Sequence, residues 1–286
     1  MKLGNNDITI KLGSVDVDSI YLGTQLVYSG GSEPPTPPAH DYSQDYLTFT
    51  ATESGKFKFS GNSVSYSLDS GSTWTALASN TNSPTVTAGN KIMWKASNLT
   101  ISSYGIGKFI STGTFTVEGN VMSLISGDSF VNATTISELQ FAYLFNGTSV
   151  TSAENLVLPS TTLANNCYYY MFGGCTSLTT APQLPATTLA VRCYQSMFYG
   201  CSGLTTAPVL SASTLTNYCY SYMFQNCSSL NNITCLATDI SATNCTYKWV
   251  EGVASSGTFT KASSMISWGS GRTGIPSNWT VEDYNA

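Results

Sequence analysis

A 26-residue unit occurs four times in the second half of the chain, and no other feature constrains the fold as much. The copies begin at Leu158, Leu184, Leu210 and Leu236. The first two agree at 17 of 26 positions without a gap, and the third keeps the apolar and cysteine positions. The fourth keeps little beyond Ile240, Cys245 and the pair Trp249-Val250. A period of about 20 to 50 residues is typical of stacked units, none of which can bury its apolar face alone. Such arrays are far more often binding surfaces than enzymes.

The constant apolar positions of the repeat predict the core of a stack. Equivalent residues of successive copies should lie above one another: Leu163, Leu189 and Leu215, the Met-Phe pairs, and Leu178, Leu204 and Leu230. Each large side chain that becomes buried contributes roughly 1.5–3 kcal/mol. The Cys-Tyr-x-x-Met-Phe segment is predicted to be a short helical or turn-like piece. Leu-Thr-Thr-Ala-Pro-x-Leu is predicted to be extended, with its proline where no ladder donor is needed.

The cysteines recur at fixed places in the repeat. Cys167, Cys193, Cys219 and Cys245 share one position, Cys175, Cys201 and Cys227 share another, and Cys235 stands alone. This count also suits a disulfide framework. However, equivalent positions in neighbouring units should lie about 5 Å apart with parallel side chains, which fits a bridge poorly. We therefore predict free, buried thiols. A zinc site is disfavoured because no histidine lies nearby, and no metal or cofactor is predicted.

Composition excludes several classes of function. Only 9% of residues are charged, against about 25% in ordinary globular proteins. The hydrophobic content of 42% argues against disorder. A net charge of −5 with only 11 Lys plus Arg argues against nucleic acid as a partner. No apolar run has the length of a membrane span, and no signal peptide is recognisable at the start. A surface-type protein of this kind is expected to be a mature fragment or to leave the cell in a phage particle.

The remaining sequence predicts a mainly β protein with short helices, built in several parts. Residues 1–31 alternate in short β-like runs and cannot make a core, so they are predicted to be an N-terminal β anchor. Its docking residues are Ile20, Tyr21, Leu26, Val27 and Tyr28. In the same segment, Asp16 and Asp18 with Asn5, Asn6 and Asp7 could bind Ca²⁺, but a solvated turn is favoured because the EF-hand pattern is absent. Residues 32–41 are predicted to be a proline-rich linker.

A β-sandwich-like domain is predicted for residues 42–130. Short alternating strands at 57–59, 64–68, 91–94 and 113–117 are separated by Gly, Asn and Ser turns. The repeats are predicted to form a solenoid over 131–261 that begins with a degenerate unit, because Tyr143-Leu144-Phe145 parallels Tyr170-Met171-Phe172. Residues 262–286, with Trp268 and Trp279, are expected to cap its other end.

Two elements of the repeat resemble a known family. Met171 to Leu178 and Met197 to Leu204 carry an MFxGC element, which accompanies a TLAxxCY element. Together they resemble BspA-like leucine-rich repeats, of the kind found in gut Bacteroidales and their tailed phages. The segment that begins YLTFTATESG and the tail GIPSNWTVEDY are similar to the flanks of such repeats. The resemblance implies a curved leucine-rich-repeat solenoid with an adhesive role and no reaction. The leader resembles, more weakly, short leaders of phage structural proteins.

No catalytic residues are predicted. The only histidine, His40, lies in the proline-rich segment, which argues against His-dependent hydrolysis. Ser67 to Trp74 matches the Asp-box pattern S-x-D-x-G-x-T-W of sialidases. A sialidase-type site needs clustered arginines to clamp a carboxylate, and this chain has only Arg192 and Arg272. We therefore predict a β-hairpin in which Asp69 and Ser67 bind turn amides while Trp74 packs beneath.

The variable positions of the repeat are the candidate ligand site, because constant positions should fill the core and variable ones should face solvent. The variable pairs are 165–166, 191–192 and 217–218, then 169–170, 195–196 and 221–222, with Gly173, Tyr199 and Gln225 at a third place. The candidate binding residues are Tyr169, Tyr170, Arg192, Gln195, Tyr199, Tyr218, Tyr222 and Gln225. Tyrosines and amides suit polar, adaptable recognition. Drift on a solvated face is the alternative.

These observations together predict a non-enzymatic phage virion protein, of the head or tail fibre or decoration type. Residues 1–31 would bind capsid or tail proteins, and the repeats would adhere to a host cell-surface glycan or protein. Many copies per particle, with a homo-oligomer also open, would raise the avidity. Neither nucleic acid nor membrane insertion is expected. The alternatives are a bacterial cell-surface adhesin and, disfavoured, a glycan-active enzyme.

Overall fold

The structure, a computed structural model, describes residues 40–97, 99–266 and 268–285, and before them only the backbone of six short strands. The chain divides into two compact units, Met1–Asp41 and Tyr42–Ala286. In the first unit the strands form three antiparallel pairs: β1 with β2, β3 with β4 and β5 with β6. They are β1 Lys2–Leu3, β2 Asn6–Asp7, β3 Lys11–Leu12, β4 Val15–Asp16, β5 Ser19–Leu22 and β6 Gln25–Ser29.

Several sequence predictions fall in this first unit. The five docking residues lie on β5 and β6, but their side chains are outside the described residues. The side chains of the calcium candidates and linker residues 32–39 are outside them too.

The second unit begins with a six-stranded sheet and a two-stranded sheet. Its first strands are β7 Leu47–Ala51, β8 Phe57–Phe59, β9 Val64–Ser67, β10 Thr75–Leu77, β11 Lys91–Lys95, β12 Phe109–Ser111, β13 Phe115–Asn120 and β14 Val150–Val157. The large sheet has the order β10-β9-β11-β7-β13-β14, and β8 pairs with β12. All of these pairs are antiparallel except β13 with β14. The four predicted strands correspond to β8, β9, β11 and β13.

An aromatic core fills the space between the two sheets. Phe49 of β7 lies at its centre, with ring centroids 5.3 Å from Phe57, 4.8 Å from Phe109 and 5.6 Å from Trp94. All four rings are at most 1% exposed. Aromatic pairs at such distances add to the free energy of burial itself. The one short α-helix of the described residues, α1 Ser123–Ser126, follows β13, and short 3₁₀ turns cover Tyr42–Gln44 and Gly127–Ser129.

Each repeat is hydrogen-bonded to the next in a parallel row that continues from β14. Bridges join Ser152 to Thr180, Thr180 to Thr206, and Thr206 to Asn232. The row then passes through three parallel strands, β15 Asn232–Cys235, β16 Thr258–Ala262 and β17 Thr280–Tyr284. The described part of the chain is therefore mainly β, with several sheets, none of them closed.

The Cys-Tyr-x-x-Met-Phe segments are turns, and their backbone explains why they are not helices. In the first repeat Asn166, Tyr170 and Gly174 have φ of 55°, 56° and 75°. A left-handed residue at every fourth position interrupts a right-handed helix. Amides therefore alternate in their partners: Tyr169 N donates to Asn166 O at 3.1 Å within the turn, whereas Tyr168 N donates to Cys193 O of the next repeat at 3.0 Å. Pairs of side chains consequently alternate between the core and the outer surface.

The inward-facing pairs form continuous stacks across the repeats. Phe198 is 0% exposed and lies between Phe172 and Phe224, with centroid distances of 5.6 and 5.8 Å and ring planes within 8°. The leucines predicted to stack are all buried: Leu163, Leu178, Leu189, Leu204, Leu215 and Leu230. In the fourth repeat, Trp249 occupies the end of the stack and lies 5.7 Å from the Trp268 ring. The constant apolar positions of the repeat are thus core positions.

The segment before the first repeat has the same turn geometry. Tyr143 has φ of 63°, and its N donates to Tyr169 O at 2.8 Å. Phe145 stacks on Phe172 at 5.1 Å. The predicted correspondence of Tyr143-Leu144-Phe145 with Tyr170-Met171-Phe172 is therefore confirmed.

Candidate functional site

A row of five tyrosines follows the outer surface of the turns. Its members, called here the tyrosine row, are Tyr104, Tyr143, Tyr169, Tyr170 and Tyr199. Successive centroids lie 5.9 Å apart from Tyr104 to Tyr143, 5.4 Å from Tyr143 to Tyr170, and 5.5 Å from Tyr170 to Tyr199. Tyr169 packs edge-on against Tyr143 at 5.3 Å. Rings in mutual contact lose little further freedom when a ligand packs on them, which favours binding.

The hydroxyl groups of Tyr143 and Tyr170 remain protonated at neutral pH. Burial, and then the neighbouring Tyr199, raise the pKa of Tyr170 to about 12. Burial also raises the pKa of Tyr143, and its hydrogen bond to Tyr169 adds to the increase. These hydroxyls can therefore donate as well as accept hydrogen bonds.

The other predicted site residues lie on the same outer surface of the turns, in smaller groups. Arg192 lies over the ring of Tyr218 at 5.1 Å, and Asn244 Nδ2 donates to the Tyr218 hydroxyl at 3.2 Å. Tyr222 packs edge-on against Tyr247 at 5.3 Å. All eight predicted binding residues are at least partly exposed.

Two of the predicted binding residues have amide side chains, which are held differently. Gln225 Nε2 donates a hydrogen bond to the carboxylate of Glu251. The side-chain oxygen of Gln195 is buried and accepts no hydrogen bond from the described residues.

The prediction that every variable position faces solvent is wrong at three places. Gly173, Ser196 and Ser221 are buried. At Gly173 the cause is the ring of Tyr170, because a Cβ added there would lie 2.1 Å from Tyr170 Cδ1. Position 173 of this repeat must therefore stay small while 170 is large. The variable positions 170 and 173 of this repeat are thus coupled in size.

Sequence reasoning did not find Tyr104. It lies outside the repeats, in the turn Ser102-Ser103-Tyr104-Gly105, and its side chain is 69% exposed. A large aromatic residue within a Ser/Gly turn was the available signal. Tyr143 was recognised only as part of the degenerate unit, although it connects Tyr104 to the predicted residues.

The Asp-box segment is a hairpin turn closed by its own side chains, as predicted. Asp69 Oδ1 accepts hydrogen bonds from Thr73 N at 2.9 Å and Ser67 Oγ at 2.7 Å, and Gly71 N donates to Ser67 Oγ at 2.9 Å. The hydrogen bonds from Thr73 and then Ser67 lower the pKa of Asp69 to about 2. Trp74 packs on Tyr46 at 4.8 Å. Asp69 Oδ1 therefore stabilises the turn through these two hydrogen bonds.

All eight cysteines are free and buried, as predicted. Burial raises the pKa of Cys167, Cys219, Cys227 and Cys235 to about 12, so these thiols are protonated and unreactive at neutral pH. Within the described ranges, no group of three or more His, Cys, Asp or Glu side chains is placed to hold a metal ion.

Comparison with protein-family models, with curated protein sequences and with solved structures gives no match for this chain. None of the helices in the described segments has the length and apolarity to cross a membrane.

Proposed function

We propose that this chain is a non-enzymatic binding protein that presents the tyrosine row and its neighbouring amides to a saccharide on a cell surface. The observation that carries the proposal is the unbroken contact of five aromatic rings along one outer surface, from Tyr104 to Tyr199. The apolar face of a pyranose packs well on an aromatic ring, and tyrosine hydroxyls and side-chain amides hydrogen-bond its hydroxyl groups.

The scaffold under this surface is proposed to be a BspA-like leucine-rich-repeat solenoid, preceded by a β-sandwich-like domain. Support comes from the repeat-to-repeat bridges and the stacked aromatic core. Residues 131–157 and 262–286 would cap the two ends of the stack. Trp279 Nε1 donates to Ala254 O at 2.9 Å and Trp249 Nε1 donates to Gly274 O at 2.8 Å, contacts that a C-terminal cap requires.

The proposed setting is a phage virion, as a head or tail fibre or decoration protein in many copies, with residues 1–31 bound to another virion protein. Its support is the resemblance of the repeats and leader described above. Mass spectrometry of purified particles should detect the chain. Its presence on bacterial cells and absence from particles would favour the bacterial adhesin instead. Release of reducing sugar from host polysaccharide would favour the glycan-active enzyme.

Binding to a glycan array and to host cells tests the surface. Tyr169→Ala and Tyr199→Ala should each weaken binding about tenfold, a loss of ~1.4 kcal/mol. Tyr222→Ala should weaken binding as well, because it removes one ring of the Tyr222–Tyr247 pair beside the tyrosine row. Tyr284→Ala is the matched control, because Tyr284 is 41% exposed and lies on β17, outside the row. Equal binding by the row variants and the control would refute the proposed surface.

A further inference from the structure

Of the nine basic side chains in the described residues, five are neutralised by carboxylate partners. The chain has 11 Lys plus Arg. Five of those in the described residues form ion pairs: Lys91, Lys95, Lys248, Lys261 and Arg272. Arg192 stacks on Tyr218. The three other basic residues of the described part, Lys56, Lys58 and Lys108, have no carboxylate within ion-pair distance among the described residues and no ring beneath them.

These three lysines share the outward face of the two-stranded sheet formed by β8 and β12. Lys58 pairs with Ile110, Ser60 N donates to Lys108 O at 2.9 Å, and Thr112 N donates to Lys56 O at 3.1 Å. Side chains alternate between the two faces of a strand. The lysines alternate with three buried phenylalanines, Phe57, Phe59 and Phe109. They form a local cationic patch on a protein whose net charge is −5.

The patch meets the tyrosine row at a cavity. The cavity has a volume of about 330 Å³, and its lining residues are Ser60, Tyr104, Gly107, Lys108, Tyr143 and Asn146. Small-molecule sites have volumes of about 300–1,000 Å³. Lys108 therefore supplies a charge at the place where Tyr104 and Tyr143 supply two ring surfaces.

The walls of this cavity are held in place. Ser102 and Gly105 exchange backbone hydrogen bonds of 2.9 and 3.1 Å, which closes the turn that carries Tyr104. Gly105 has φ of 84°, and a Cβ there would lie 2.5 Å from Ala142 O, so this turn packs directly on the segment of Tyr143. Asn146 Nδ2 donates to Gly173 O, which fixes the opposite wall. A ligand would meet a formed site with little ordering cost.

We infer that this cavity binds one sugar residue of an anionic glycan, with its carboxylate or sulfate group on Lys108 and its apolar face against Tyr104 and Tyr143. A charge-assisted hydrogen bond from the ammonium gives preference for the charged sugar over its neutral parent. Lys58 and Lys56 continue the patch for further anionic residues of the same polymer. This inference rests on the proposed function, to which it adds the charge of the ligand.

Calorimetric titration with matched oligosaccharides tests the inference. The probes are carboxylated and sulfated oligosaccharides, each beside its neutral parent of equal length. Lys108→Gln and Tyr104→Ala should each weaken binding of the charged probes about tenfold, and Lys108→Gln should weaken binding of the neutral parents much less than that of the charged probes. Added salt should weaken the binding of the charged probes only. The carboxylated and sulfated arms identify which anion is preferred.

Lys91→Gln is the matched control, because it removes one positive charge from an exposed lysine that is paired with Glu118 away from the cavity. Equal effects of Lys108→Gln and Lys91→Gln, or no preference for charged over neutral probes, would overturn the inference. If Tyr199→Ala weakens glycan binding about tenfold while Lys108→Gln changes nothing, the cavity proposal fails and the proposed function stands. If charged probes bind through Lys108 but Tyr169 and Tyr199 variants bind cells normally, the proposed function fails instead.

Discussion

Replacing Phe198 by alanine should strongly destabilise the repeats, because this inward-facing side chain is part of the stacked core. The side chain is 0% exposed, and its ring lies between Phe172 and Phe224 at 5.6 and 5.8 Å. Truncating a buried phenylalanine to alanine costs about 3–5 kcal/mol, through lost burial and the cavity left behind. Because two stacked partners are lost together, we expect a loss of about 4–5 kcal/mol.

Urea unfolding followed by circular dichroism measures this loss. With an m-value of about 3 kcal/mol/M, the midpoint should fall by about 1.5 M. Phe198→Leu keeps most of the apolar volume without the ring, so it should cost only about 1–1.5 kcal/mol. Tyr199→Ala alters the next residue, which faces outward, and should cost less than Phe198→Ala. A loss below about 1.5 kcal/mol for Phe198→Ala, or one equal to that of Tyr199→Ala, would refute the stacked core as the source of stability.

Three further predictions concern the backbone and the thiols. Gly200→Ala should cost about 1–2 kcal/mol, because φ is 71° and the nearest atom to an added Cβ is 3.9 Å away, so that backbone strain acts alone; Gly200→Asn should shift the urea midpoint less. The eight buried cysteines should not react with Ellman's reagent in the native protein at neutral pH, and all eight should react after unfolding in guanidinium; rapid native reaction of several thiols would contradict their burial. Burial raises the pKa of Cys227 from 9.0 to about 12, so the thiol loses its proton at a lower pH in the unfolded chain than in the folded protein. The free energy of unfolding therefore keeps its full value below pH 9 and declines between pH 9 and pH 12. Each such thiol should contribute up to ~1.4 kcal/mol per pH unit to that decline, and Cys227→Ala should make the alkaline slope shallower; an unchanged slope would contradict this linkage.

Local patterns in the sequence were sufficient for the elements whose cause is local. Phe57-Lys58-Phe59 alternates because one face of β8 is buried, and the strand lies where the alternation predicts it. The free state of the cysteines also followed from the repeat, since equivalent positions in neighbouring units have parallel side chains. The pairing of β14 with β13 was not predicted, because it joins Val150–Val157 to a strand more than 30 residues earlier and leaves no local signal. The six-stranded sheet therefore continues past residue 130 into the segment before the repeats.

The candidate site was predicted only where it coincides with the repeat. Variation between copies pointed to Tyr169, Tyr170 and Tyr199, which are in one row. The same reasoning misplaced Gly173, Ser196 and Ser221. At Gly173 it did not include the size of the neighbouring Tyr170 side chain. Nothing periodic marks Tyr104 or Lys108, which line one cavity with Tyr143 only because a loop distant in sequence packs against it.

The left-handed residue at every fourth position has a consequence for how such a chain can change its length. A single inserted residue in a turn would exchange the amides that bond within the turn with those that bond to the next repeat, and would turn core side chains outward. Insertion of a whole 26-residue unit leaves every one of these relations intact. Unequal recombination between copies can therefore lengthen or shorten the protein in complete units. Each added unit would extend the outer surface of the turns by about one ring-to-ring distance, such as the 5.5 Å between Tyr170 and Tyr199. Its inward-facing side chains would continue an existing stack.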